Sequence, residues 1–287
     1  MTEHASTRRE LLAAGGAGAV SLAAGRTPAA AAPPSKQPAG TQRPPIGLTT
    51  YMFKHYTLGQ TIEMAQRVAV DRICLRSNLL PLGSAPQQIG AVIEKVKAAG
   101  LKIYGGGVIS MGNEQQVDRA MAYSRAAGFQ LISISIRPDL LGYLERRLRK
   151  HDIRAAIHNH GPEDRHWPTP LAIYEKIEKL DKRIGICHDT GHTQRAGVDA
   201  VQATLKTGDR ILDLHLKDVD AAQRQGHSTE LGRGVVDIAG VLRALAKIGY
   251  AGVVGVEYEK HMKDLLPGLA ECVGYARGAL DALGRKA

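Results

Sequence analysis

Aromatic residues are scarce in this chain: one Trp, two Phe and nine Tyr, together 4% of 287 residues. Proteins that hold single-stranded nucleic acid stack bases on such rings beside a basic groove. The positive balance of the sequence, +10 at pH 7, therefore calls for another account. Five basic residues against two glutamates up to Pro45 supply +3 of it. The rest is spread over predicted helices, with one dense run at Arg146, Arg147, Arg149 and Lys150 that reads as a solvated helix end. No nucleic-acid partner is expected, and a small anionic substrate stays compatible with the charge.

Cysteine is equally sparse. Cys74, Cys187 and Cys272 form no CxxC spacing, and an odd count argues against a disulfide framework. All three are expected as small buried apolar residues. A long apolar run is missing too: the stretch from Ala13 to about Ala24 is too short and too rich in Gly and Ala to span a bilayer stably. It follows Arg8-Arg9 and precedes Ala29 to Ala32, the order of a twin-arginine (Tat) export signal with a small-residue cleavage site. Residues 1–32 are read as that signal and 33–45, rich in Pro and polar residues, as an extended linker. The mature protein is then expected in the periplasm or outside the cell. A Gly-rich phosphate turn is absent after the first strand signal, where Tyr51-Met52-Phe53-Lys54 stands instead. That absence argues against a doubly wound open sheet.

What the sequence does have is alternation. Strand signals fall at 46–51, 72–77, 102–110, 131–136, 154–160, 184–188, 211–217 and 252–258. Most are short, nearly continuous apolar runs, as expected for strands buried on both faces. Amphipathic stretches separate them, such as the one entered through Pro86 and closed by Gly100, or the one entered through Asp237 and closed by Gly249. This pattern predicts one closed (β/α)8 barrel over 46–287.

The last four strand signals share an ending. His158 in AAIHNHGPE, Asp189 in IGICHDTGH, His215 in LDLHLKD and Glu257 in VVGVEYE each sit where an apolar run gives way to polar sequence. In a parallel barrel the C-terminal strand ends converge on one face, so distant residues can meet there. Two imidazoles and two carboxylates would cage one divalent cation, with Mn²⁺, Zn²⁺, Co²⁺ or Fe²⁺ suiting the set better than Ca²⁺. Buried without a cation, the two carboxylates would need other partners or shifted pKa values.

The stretches HDTGH, HLKD, LGRGVVD and VGVEYE together resemble the xylose-isomerase-like superfamily of sugar-phosphate isomerases and epimerases. The resemblance covers essentially everything after the linker. It implies a TIM barrel in which Asp189, His215 and Glu257 occupy three ligand positions of one ion, Mn²⁺ being the first expectation. It also implies that His192, Lys217 and Arg233 face the substrate. At the fifth strand His158 stands where the family has Glu, so the expected fourth ligand is an imidazole. Glu257 is the first choice as base. His158, His160 two residues on, and Glu163 in HGPE are candidates to return a proton or expel a leaving group.

The resemblance implies a metal-dependent sugar isomerase or epimerase working through a metal-stabilised enediolate next to a carbonyl. One alternative is a lyase or dehydratase acting on an oxidised (3-keto) sugar or glycoside. Another, of a different class, is a non-catalytic carbohydrate-binding barrel. A small-molecule carbohydrate is the expected partner, with no membrane span, and a homo-oligomer is allowed. Lys54, His55 and Arg76, after the first strands, are further candidate contacts. The DNA-repair branch of the superfamily needs extra histidines on the second and third strands, where this chain has Arg76-Ser77 and Val108-Ile109-Ser110.

Overall fold

The computed structural model describes residues 43–284, so the twin-arginine segment and the linker as far as residue 42 lie outside the described residues. Ten strands follow in chain order: β1 Ile46–Thr49, β2 Arg72–Leu75, β3 Lys102–Met111, β4 Leu131–Ile136, β5 Arg154–His158, β6 Ile184–Asp189, β7 Ile211–Leu216, β8 Asp218–Val219, β9 Ser228–Thr229 and β10 Val254–Val256. Eight of them close into a barrel in the order β1-β10-β7-β6-β5-β4-β3-β2, while β8 and β9 form a separate two-stranded ladder. Neighbouring barrel strands are parallel throughout. The helices are α1 Leu58–Arg67, α2 Pro86–Ala98, α3 Glu114–Ala127, α4 Leu141–Leu148, α5 Pro170–Ile177, α6 Thr190–Arg195, α7 Ala200–Thr207, α8 Ile238–Lys247 and α9 Leu266–Gly284. All eight strand signals of the sequence are barrel strands.

The composition of each run explains its place. β4 reads LISISI and β6 reads IGICHD, and nearly every residue of both is buried, because one side of each strand packs in the barrel and the other under the helices. Ile132, Ile134, Ile157, Leu214 and Val256 show no exposure at all; a fully buried side chain of this kind contributes about 1.5–3 kcal/mol. The helix signals hold as well. α2 starts at Pro86, and the chain leaves it through Gly100 at φ +79°, a conformation that costs glycine little. Asp237 caps α8 by accepting from the Gly240 N–H, worth about 1 kcal/mol. Cys74, Cys187 and Cys272 are free and buried. No described helix is long and apolar enough to cross a membrane.

Some strands stop short of their sequence signals, and the reason lies in the side chains at their ends. Thr50 Oγ1 donates to the Cys74 carbonyl at 2.7 Å and accepts from the Arg76 N–H at 2.8 Å. A hydroxyl thus replaces the backbone ladder between the ends of β1 and β2. Register carries the same ends to a common level on the other side of the barrel: His158 pairs with Cys187, Asp189 with His215, and His215 with Gly255. Glu257 follows Gly255 by two residues and so points to the same side.

Candidate metal centre

His158 and Asp189 close β5 and β6, His215 is the penultimate residue of β7, and Glu257 follows β10 directly. His158, Asp189, His215 and Glu257 are between 0% and 3% exposed. Each offers one ligand atom, and the four atoms lie within 4.8 Å of one another. His158 Nε2 is 3.0 Å from His215 Nδ1 and 3.6 Å from Asp189 Oδ2, and His215 Nδ1 is 2.6 Å from Glu257 Oε2.

Each donor is aimed by its surroundings. Asp189 divides its oxygens: Oδ1 accepts from the His192 N–H at 2.8 Å as the cap of α6, leaving Oδ2 for the cluster. Asn159, fully buried after His158, accepts from the Asp189 N–H at 2.9 Å and donates to the Asp189 carbonyl and Thr193 Oγ1, both at 3.1 Å. It ties the end of β5 to the end of β6. Behind His215, Nε2 lies 3.7 Å from Asp213 Oδ2, an oxygen that also accepts from Ser133 Oγ at 2.5 Å. The turn after β5 needs Gly161, whose φ is +83° and whose added Cβ would stand 3.2 Å from the His192 carbonyl.

A buried cation lies against the cluster. Lys217, 2% exposed, places Nζ 3.1 Å from Glu257 Oε1, 3.1 Å from Glu259 Oε2 and 3.4 Å from Asp189 Oδ2. Burial works against the Asp189 and Glu257 anions. Lys217 outweighs it, aided by His192 at Asp189 and by His215 at Glu257, and both carboxyls stay well below the usual range. Burial holds His158 well below the ordinary imidazole value, and brings His192 down to about 4. Burial opposes a proton on His215 too, but Cys187, Glu257 and Asp213 raise its pKa well above the ordinary value.

The donor set fits a divalent transition ion. Asp189 Oδ2 and Glu257 Oε2 are buried without a hydrogen bond among the described residues. Such oxygens carry a desolvation cost that a cation offsets. Ligand atoms about 2.0–2.2 Å from one ion stand roughly 3–4 Å apart, the range that most of these contacts occupy.

The remaining sequence candidates separate. His160 packs its ring 4.4 Å from that of His158, but its Nδ1 faces Asp164 Oδ2 at 3.4 Å, outside the four-atom set. Glu163 is exposed and paired with Arg195 at 2.5 Å. His192 and Lys217, which touch the cluster, line a cleft of about 510 Å³ beside it, together with Tyr51, Arg195, Arg224 and Glu259. Arg233 is not in that lining, and its exposed guanidinium pairs with Glu271. Sequence reading missed Glu259, Asn159 and Asp213. The first had a signal in the second Glu of VEYE, at strand spacing from Glu257; the other two are marked only by partners distant in sequence.

Residues 138–276 match the family described as xylose isomerase-like TIM barrel. Over 163 residues the chain is 28% identical to the rhizopine catabolism protein MocC of Rhizobium meliloti, covering 50% of this chain and 47% of that one. It is 31% identical over 115 residues to the inosose dehydratase of Geobacillus thermodenitrificans, covering 33% of this chain and 39% of that one. The chain thus spans less than half the length of these curated relatives. A crystal structure of the IolI protein with a zinc atom superposes at TM-score 0.66, with 15% identity and 84% of this chain and 98% of that one covered. The fold is a closed barrel of eight parallel strands with helices between them, and the xylose isomerase-like TIM barrel family matches residues 138–276 of it.

Proposed function

We propose that this xylose isomerase-like TIM barrel is a metal-dependent enzyme that moves a proton at the carbon next to a carbonyl of a sugar or polyol ketone. The observation that carries the reading is the convergence of His158, Asp189, His215 and Glu257 within 4.8 Å at the mouth of the barrel. His158 Nε2, His215 Nδ1, Asp189 Oδ2 and Glu257 Oε2 would hold the ion, which supplies Lewis-acid polarisation of a carbonyl when bound. Zinc in a structure of the same fold makes Zn²⁺ a candidate beside Mn²⁺.

Glu257 is the base of this proposal. Lys217 and His215 keep its carboxyl ionised, and its partner Lys217 lines the cleft with His192, both placed to hydrogen-bond substrate hydroxyls. The fifth strand ends in His158 rather than a carboxylate, so Glu257 has no facing glutamate in the cluster. A single base suits isomerisation, in which one group carries the proton between adjacent carbons. Epimerisation would need a second group such as His160.

Elimination is the second reading, favoured by the likeness to an inosose dehydratase. There Glu257 would take the proton and a cationic neighbour such as Lys217 would assist the departing oxygen. Incubating the metal-loaded chain with inososes and keto-sugars in deuterium oxide separates the two. Deuterium incorporation without loss of water supports isomerisation or epimerisation, and loss of one water supports elimination. Binding without either would leave a carbohydrate-binding barrel. Export by the Tat route belongs to the same proposal, on the strength of Arg8 and Arg9. Cell fractionation of the wild type against a double Lys substitution of that pair tests it.

A further inference from the structure

The cations around the cleft are unequal in what neutralises them. Arg195 is paired with Glu163, Lys260 with Glu230, and Lys217 with Glu257 and Glu259. Arg76 differs. Among the described residues its guanidinium meets no carboxylate, and lies instead over the Tyr51 ring, 4.3 Å from the centroid. Tyr51 belongs to the cleft lining along with Lys217, His192 and Glu259.

Position strengthens the point. Arg76 follows Cys74 by two residues in an extended run, and so leaves the chain on the side of Cys74. The Cys74 thiol looks inward, toward the Gly107 carbonyl at 4.0 Å. The Arg76 backbone is fixed by the Thr50 hydroxyl at 2.8 Å. In the barrel order β2 stands across from β6, which carries Asp189. Arg76 is thus a half-buried cation at the C-terminal mouth, across from Asp189 and two strands from β10, which Glu257 follows. Stacking on an aromatic ring fixes the plane of a guanidinium and leaves its N–H edge free for a bidentate acceptor.

We propose that Arg76, stacked on Tyr51, is the subsite for an anionic group, a carboxylate or a phosphate monoester, carried by a sugar-type substrate whose carbonyl end sits at the metal centre. This inference rests on the reading of the centre given above, and deepens it by naming the substrate class. Lys54, 5.5 Å from the same ring centroid, adds to the positive field from the surface.

Calorimetric titration tests it, with D-glucuronate, D-glucose 6-phosphate and D-glucose as probes of the metal-treated full chain. The wild type should bind at least one of the two anions about tenfold or more tightly than glucose, the scale of one charge-assisted bidentate contact. Glucuronate or the phosphate ester carrying that preference identifies the group. Arg76→Met, which keeps an apolar contact on Tyr51, should abolish the preference while melting temperature and metal content stay unchanged. Arg76→Lys should retain part of it. Equal binding of all three sugars, absence of anion binding, or a preference that survives in Arg76→Met overturns the inference. Metal content of the same wild-type sample is read separately: a chain that takes up no ion defeats the reading of the centre, and the anion preference is scored on it regardless.

Discussion

Lys217 Nζ lies 3.1 Å from Glu257 Oε1, while the other oxygen of that carboxylate lies 2.6 Å from His215 Nδ1. One glutamate thus divides itself between a buried ammonium and the candidate ligand cluster. The arrangement gives Lys217 two roles, neutralising the carboxylates while the ion is absent and facing the cleft.

Replacing Lys217 by Met should expose the first role. Asp189, Glu257 and Glu259 would then share a buried site without their ammonium. Breaking a buried ion pair by removing one partner costs about 3–5 kcal/mol. Chemical denaturation of the chelator-treated variant should show a loss of that order, largely recovered on adding a divalent metal. A milder form is Gly191→Ala, whose Cβ would stand 2.7 Å from Lys217 Cγ and push the lysine stem aside.

Asn159 should matter more than its uncharged side chain suggests. It is fully buried and joins β5 to β6 through Asp189 and Thr193. Asn159→Ala leaves the buried Asp189 N–H without this acceptor, which costs about 1–3 kcal/mol, while the Asp189 carbonyl keeps Thr193 Oγ1. Misaiming Asp189 should also weaken metal binding about tenfold or more, the scale seen when a group orienting a ligand is lost. Denaturation and metal titration read the two effects independently.

His158→Glu would place a third carboxylate in the cluster. The softer imidazole favours Zn²⁺, whereas an added carboxylate favours Mn²⁺. The ratio of Mn²⁺ to Zn²⁺ affinity should therefore rise in the variant, as read by competition titration with a chelating dye.

Acid stability is expected to depend on a pair far from the centre. Asp181 is hydrogen-bonded by the Arg183 guanidinium at 2.7 and 3.0 Å and by the Arg183 N–H at 2.9 Å, which together bring its pKa down to about 2. A folded-state value below the unfolded one stabilises the chain above the unfolded carboxylate pKa of about 4. That contribution is lost as pH falls from about 4 through 2. Asp181→Asn should flatten this part of the stability curve by about 1 kcal/mol, given that the pair is partly solvated. Denaturation midpoints at pH 6, 4 and 2.5 would show it.

The barrel was legible in the sequence because burial on both faces writes a continuous apolar run, and eight such runs stand between helix signals. The four ligand candidates were legible because each interrupts or ends such a run with a polar residue that solvent cannot explain. Strand ends were overread at 51, 77 and 160, where Thr50 and Asn159 side chains take over from the backbone ladder. Asp213 looked like one more polar residue in β7, since its partner Ser133 is 80 positions away. Lys217 and Arg233 looked alike as loop cations. The fold buries one among three carboxylates and leaves the other on the surface against Glu271.

The central claim is the metal centre. Calorimetric titration of the chelator-treated chain with Zn²⁺ and Mn²⁺, beside Asp189→Asn and His215→Ala, tests it most directly. One ion per wild-type chain, with binding weakened at least a hundredfold in both variants, is the expected result. A wild-type chain that binds neither ion, or variants that bind as the wild type does, would contradict it. The four strand ends would then be held by Lys217 and the His215 imidazolium alone.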